Sequence, residues 1–162
     1  MSEAEIKKIK KYIKGTKYEL LILLDLSTGL RQGELLALDW QHIDLENKTL
    51  KVERSVKEVY VYEDENTKHI ETVFQIPKTA NSIRTIPLSN SIIEMLENVK
   101  DKEGLLFTDD EGGVLKAKNV AYQWRKILKE CNINHKKFHS IRHNLCIYIV
   151  KKTVLISKLL QN

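Results

Sequence analysis

Past Glu130 the sequence has no acidic residue at all. Those last 32 residues hold six cations: Lys136, Lys137, Arg142, Lys151, Lys152 and Lys158. The whole chain carries a net charge of +5, so the 130 residues before them come to −1. Cysteine is scarce too. Cys131 and Cys146 are the only two, which excludes a disulfide scaffold and fits a reducing compartment. No apolar run approaches the roughly 18–20 residues of a membrane span. The run Leu20–Leu24 stops at Asp25, and the opening Met-Ser-Glu-Ala-Glu has no apolar signal core. No membrane association is expected, and the location expected is the cytoplasm of a bacterial or phage-derived system. A one-sided basic region of this kind suits a polyanion, most simply nucleic acid. A solvated face with chance asymmetry is the plain alternative.

With 42% hydrophobic and 30% charged residues over 162 positions, the chain reads as one globular domain with a real core. It shows no internal repeat, low-complexity segment or linker. Ser2 and Glu5 form a capping-box pattern before Ile6, Ile9 and Ile13 at helical spacing, and Gly15 ends that helix. Thr16 and Glu19 predict the start of a second helix, apolar over Leu20–Leu26 and closed near Gly29. A short helix follows over Arg31–Leu38. Glu46-Asn47-Lys48 reads as a turn into a strand over 49–53. Residues 55–62 and 69–76 are β-rich around a polar hairpin tip at 63–68, and 83–88 reads as a further strand. Ser91 with Glu94 predicts a cap for a helix carrying Ile92, Met95, Leu96 and Val99. The segment "DDEGGVLKA" reads as a loop. Val120, Trp124 and Leu128 line one face of the next helix, the Asn132–Asn134 pair interrupts the chain, and a last helical stretch is predicted from about His139. The fold expected is α+β, mainly α-helical, with one small three-stranded antiparallel sheet built from residues 49–88.

Two stretches carry candidate chemistry. In "FHSIRHN", residues 138–144, helical spacing would put His139, Arg142 and His143 on one face. An Arg fork binds two phosphate oxygens, while a neighbouring imidazole moves a proton or donates a hydrogen bond. A basic helix face with one buried histidine explains the same residues without function. Cys131, His135, His139 and His143 recur every four residues and raise a metal stripe as a rival. Each such step drifts about 40° around a helix and climbs about 6 Å, so one metal could reach only two neighbours. No Cys-x-x-Cys or His-Glu-x-x-His supplies the rest, and no metal is expected. In "STGLRQGELLALDW", Arg31 follows a glycine turn, and Glu34 stands three residues on, able to brace it or a neighbour. Leu35, Leu36, Leu38 and Trp40 anchor the same short helix.

"TGLRQGELLALDW" resembles the first arginine box of the tyrosine recombinases, the phage integrase family, and "FHSIRHN" resembles their second box, His-x-x-Arg-His. Between them, "PKTANSIRTIPL" is similar to the family's β-turn with its lysine, followed by the Arg-x-x-Pro-Leu strand. The three motifs come in family order, and the resemblance runs from about Glu3 to about Arg142. It implies a tyrosine-recombinase catalytic-domain fold and DNA strand transfer through a 3′-phosphotyrosine, without metal or other cofactor. By the same resemblance, Arg31 and Arg142 would clamp the non-bridging oxygens of the scissile phosphate. Lys78 would give a proton to the leaving 5′-oxygen, His139 would assist proton transfer, Glu34 would orient the first box, and His143 would support the second. The partner implied is double-stranded DNA, with self-association on DNA in the full-length protein.

The family continues past its second box through a Gly-containing turn and Leu-Gly-His to the nucleophilic tyrosine. Here "NLCIYIVKKTVLISKLLQN" has no Gly, and no tyrosine stands where that one is expected. Tyr148 follows Arg142 by only six residues, and the other five tyrosines precede the second box. Residues 1–162 are therefore expected to form a single catalytic domain, incomplete at the C-terminus, without its nucleophile and without the family's N-terminal DNA-clamping domain. Such a chain would bind DNA but not cleave it alone. A non-catalytic DNA-binding remnant or regulator is the first alternative, and a metal-binding or structural helical domain the second.

Overall fold

The computed structural model describes residues 1–64, 67–76 and 83–138. They fall into two compact units: Met1–Arg31 with the chain from Lys118 onward, and Gln32–Ala117.

In the first unit, α1 spans Glu3–Ile13 and α2 spans Glu19–Thr28. The expected capping box closes α1: the Ser2 amide donates to Glu5 Oε2 at 2.6 Å, and the Glu5 amide donates to Ser2 Oγ at 3.2 Å. This satisfies two backbone donors that the first helical turn leaves open. Ile9 and Ile13 are fully buried. The Thr16–Glu19 pair does a different job from the one its spacing predicts. Thr16 Oγ1 donates to the Ile13 carbonyl, and Glu19 accepts from the Gly15 amide, so both close the end of α1. Gly15, at φ +75°, turns the chain there, and Tyr18 stands at the N-cap of α2 without a side-chain bond. Gly29 ends α2 in the left-handed region, its amide donating to the Asp25 carbonyl at 2.9 Å.

Helix α5 spans Ala117–Glu130, its last thirteen residues in this unit, and buries Val120, Trp124, Ile127 and Leu128. Asn132 takes φ +52° just beyond it. The chain then runs back along the helix. Trp124 Nε1 donates to the Lys136 carbonyl at 2.8 Å, and its ring meets Phe138 edge-on, centroids 5.6 Å apart.

In the second unit, the short α3 (Gln32–Leu36) leads through a 3₁₀ turn at Trp40–His42 into β1, Ile43–Asp44. Strand β2 (Thr49–Val52) pairs antiparallel with β1 and with β5 (Arg84–Pro87), giving the sheet order β1–β2–β5. Leu50 lies opposite Ile43 on one side and Ile86 on the other, and is fully buried. The predicted hairpin forms as β3 (Ser55–Tyr62) and β4 (Lys68–Gln75), but as a separate two-stranded ribbon. The third strand of the three-stranded sheet is β1 instead. Arg54 accounts for the break between β2 and β3. Its Nε donates to the Ala37 carbonyl at 2.8 Å, its Nη2 reaches Asp39 Oδ2 at 3.2 Å, and its guanidinium stacks on Phe74.

Helix α4 spans Asn90–Glu97 and buries Ile92, Ile93 and Leu96. Its N-cap is Ser89, two residues before the Ser91 that the sequence pattern suggests. The Leu88 amide donates to the Lys48 carbonyl, so the chain is still extended at residue 88 and turns helical directly afterwards.

Candidate functional site

Arg31 is exposed and joins by a single peptide bond to α3. The preceding Leu30 is buried at 2% exposure. Helix α3 has only five residues, far below the roughly 12–15 that hold a helix together alone. Its position therefore comes from what it packs on. Leu35 and Leu36 are buried, Gln32 Nε2 donates to the Ala117 carbonyl, and Gly33 lies against Ser55 and Val56 at the start of β3.

Glu34, the acid expected to orient the box, is buried at 5% exposure. Its two carboxylate oxygens accept from Arg84: Nη1 to Oε1 at 3.1 Å and Nη2 to Oε2 at 2.8 Å. This is the bidentate fork that carboxylate and guanidinium geometry favour. The hydrogen bond to Glu34 raises the already high pKa of Arg84, against a smaller opposing effect of burial. A buried carboxylate without a cation would carry a large desolvation cost, and Arg84 removes it. Arg84 was not singled out from the sequence as a partner for Glu34, although two signals pointed there. Glu34 stands in an apolar run, and Arg84 shares a strand face with the inward Ile86.

Lys78, His139, Arg142 and His143 lie outside the described residues, as do Cys146 and Tyr148. The structure does describe what flanks them. Lys78 falls between β4 and β5, and β5 begins with Arg84. The approach to the second box is pinned by Trp124 and by Lys136, whose Nζ lies 2.6 and 2.7 Å from the two Glu5 oxygens. Phe138, the last residue before His139, is buried. Cys131 is buried just past the end of α5 and His135 is exposed, so the metal stripe does not continue as a helix face. No group of three metal-ligating side chains occurs among the described residues. None of the described helices is long and apolar enough to cross a membrane.

The sequence model of the phage integrase family matches residues 1–161. The chain belongs to the phage integrase family. This integrase-family chain is 38% identical to a tyrosine recombinase XerC-like protein of Caldanaerobacter subterraneus subsp. tengcongensis, covering 94% of this chain and 44% of that one. It is 30% identical to the integrase of Staphylococcus phage L54a, covering 72% of this chain and 35% of that one. It thus spans less than half the length of either relative. Its fold is similar to that of the Tn1549 transposon integrase solved in complex with a circular intermediate DNA, with a TM-score of 0.72, 21% identity, and coverage of 94% and 53%. It is also similar to the XerA recombinase, with a TM-score of 0.69, 15% identity, and coverage of 94% and 50%. The expected α+β, tyrosine-recombinase-like fold is the one found.

Proposed function

We propose that this chain is catalytic-domain sequence of a tyrosine recombinase that acts in site-specific DNA recombination or integration. Its target is the phosphodiester of double-stranded DNA. Arg31 and Arg142 bind the non-bridging oxygens of the scissile phosphate. Fixed cations take the place of a metal in stabilising the charge that builds in the transition state. Lys78 protonates the leaving 5′-oxygen, His139 assists proton transfer, and His143 supports the second box. Glu34 holds the first box in position.

The observation that carries this reading is the match of the integrase family model to nearly the whole chain, with Arg31 immediately before a short helix that is braced on several sides. The basic stretch beyond Glu130 supports a DNA partner. None of the six tyrosines among these 162 residues stands at the family's nucleophile position, so the chain by itself binds DNA without forming the covalent intermediate. In the whole protein, copies associate on DNA.

Duplex DNA binding, followed by fluorescence anisotropy across a salt series, tests the reading. If four to six phosphates are neutralised, log K falls against log salt with a slope of roughly −4 to −5. Arg31→Ala flattens that slope by about one. Affinity that does not change with salt removes the DNA reading.

A further inference from the structure

We infer that Arg84 is a positioning residue for Arg31, acting through Glu34 and α3. The inference rests on the reading of Arg31 as a phosphate-binding residue.

A phosphate-binding arginine is useful only if its planar fork points the right way, because two parallel hydrogen bonds impose direction as well as distance. Arg31 is tied to α3 by one peptide bond, and Glu34 lies within one helical turn of it. The rotation of α3 about its own axis therefore sets where the Arg31 backbone starts. Five residues cannot set that rotation themselves. Leu35 and Leu36 fix how deeply the helix sinks, and Gly33 fixes how closely it approaches β3, but apolar contacts tolerate small rotations. The contact between Glu34 and Arg84 is charged, bidentate and directional, at 3.1 and 2.8 Å. The Glu34 side chain is 6% exposed and that of Arg84 31% exposed, so water competes weakly for the carboxylate.

Arg84 is itself fixed. It lies opposite Val52 in the pairing of β5 with the central strand β2, and Val52 is 1% exposed. The chain of support runs from a buried strand, through a guanidinium–carboxylate fork, to the helix that begins next to Arg31. The partners stand fifty residues apart in sequence.

The test is a double-mutant cycle on the full chain, using a generic 20-base-pair duplex as probe and reading both affinity and salt slope. Arg84→Lys keeps the charge and loses the fork. The expected result is a loss of roughly ten-fold in affinity and a slope flatter by about one, matching Arg31→Ala. The double variant Arg31→Ala/Arg84→Lys then binds no worse than Arg31→Ala alone. Two results overturn the inference: losses that add in the double variant, which make Arg84 an independent contact, or an unchanged slope in Arg84→Lys, which makes it structural only. If Arg84→Lys unfolds, the neutral pair Glu34→Gln/Arg84→Gln replaces it, with the same expectation and the same refuting results. An Arg31→Ala variant that binds like the parent refutes the phosphate reading of Arg31 and this inference with it. An effect of Arg31→Ala without any effect at Arg84 removes the positioning role alone.

Discussion

A Cβ atom placed on Gly33 would stand 2.6 Å from the carbonyl oxygen of Val56. The backbone of α3 and the start of β3 touch directly, and no other residue leaves room for that contact. Alanine is the better helix former by about 0.5–1 kcal/mol, yet here its methyl meets a main-chain oxygen that cannot swing away. Gly33→Ala should therefore destabilise the chain, by about 1–3 kcal/mol, the usual cost of overpacking. Denaturant unfolding measures this. A gain in stability, as propensity alone implies, would show that the approach is looser than described.

Trp124 is 1% exposed, and its indole N–H meets the Lys136 carbonyl at 2.8 Å. Trp124→Phe removes ring volume from the core and leaves that carbonyl without the indole donor. The two effects together should cost about 2–4 kcal/mol. The loss should also loosen residues 133–138, the approach to the second box. Amide hydrogen exchange at Lys136–Phe138 should accelerate by more than global unfolding accounts for. Uniform acceleration across α5 and this segment would mean that the tryptophan holds the core in general and not the approach in particular.

The ion pair between Lys136 and Glu5 predicts a pH dependence with a definite sign. The hydrogen bond from Lys136 is the main influence holding the Glu5 pKa below its ordinary value of 4.5, and the Ser2 amide adds to it. A depressed folded-state pKa means stability that is fully present above the ordinary value and is lost as pH falls through the lower, folded value. Lys136→Met should cost roughly 0.2–1 kcal/mol near neutral pH, the range for partly exposed pairs. The gap between parent and variant should narrow below about pH 4.5. A gap that stays constant down to pH 2 would assign the effect to packing of the lysine stem.

On the proposed reading, none of the tyrosines among these 162 residues is the nucleophile, and this predicts the outcome of a suicide-substrate experiment. Incubated with nicked duplex DNA that traps a 3′-phosphotyrosine, the chain alone should accumulate no covalent complex. Adding a peptide that carries the nucleophile segment of a family relative tests cleavage in trans. Where that restores activity, Arg31→Ala should reduce it by about 10²-fold or more, the scale for removing one preorganised charge stabiliser. A covalent adduct formed by the unaided chain and mapped to any of its six tyrosines would overturn the assignment.

Local patterns were legible in the sequence. The Ser2–Glu5 box, the Gly29 helix end, the turn before Thr49 and the buried face of α5 all appear where spacing places them. Each depends on residues three or four positions apart, close enough for propensity and hydrogen bonding to settle. Local reading failed where one residue had two possible clients. Thr16 and Glu19 fit a cap for α2 but close α1, because the Ile13 carbonyl and the Gly15 amide were nearer and open. Ser89 displaced Ser91 because β5 holds the chain extended only as far as Leu88.

The residue types of the two boxes, and the family they belong to, were thus determined by the sequence itself. Which side chains hold the first box and the approach to the second was not. Glu34 could have braced Arg31 or a neighbour, and only the packing of β5 beside α3 brought Arg84 to it across fifty residues. Glu5 already had a role in its own capping box, and only the return of the chain along α5 brought Lys136 to it across 131 residues. The same holds for the sheet. Strand propensity marked residues 49–53 and 83–88, but whether their third partner would be the hairpin or Ile43–Asp44 depended on Arg54 leaving the ladder for Ala37 and Asp39. Long-range partners are chosen by competition among all surfaces brought together in the folded chain. A one-dimensional pattern does not contain that competition.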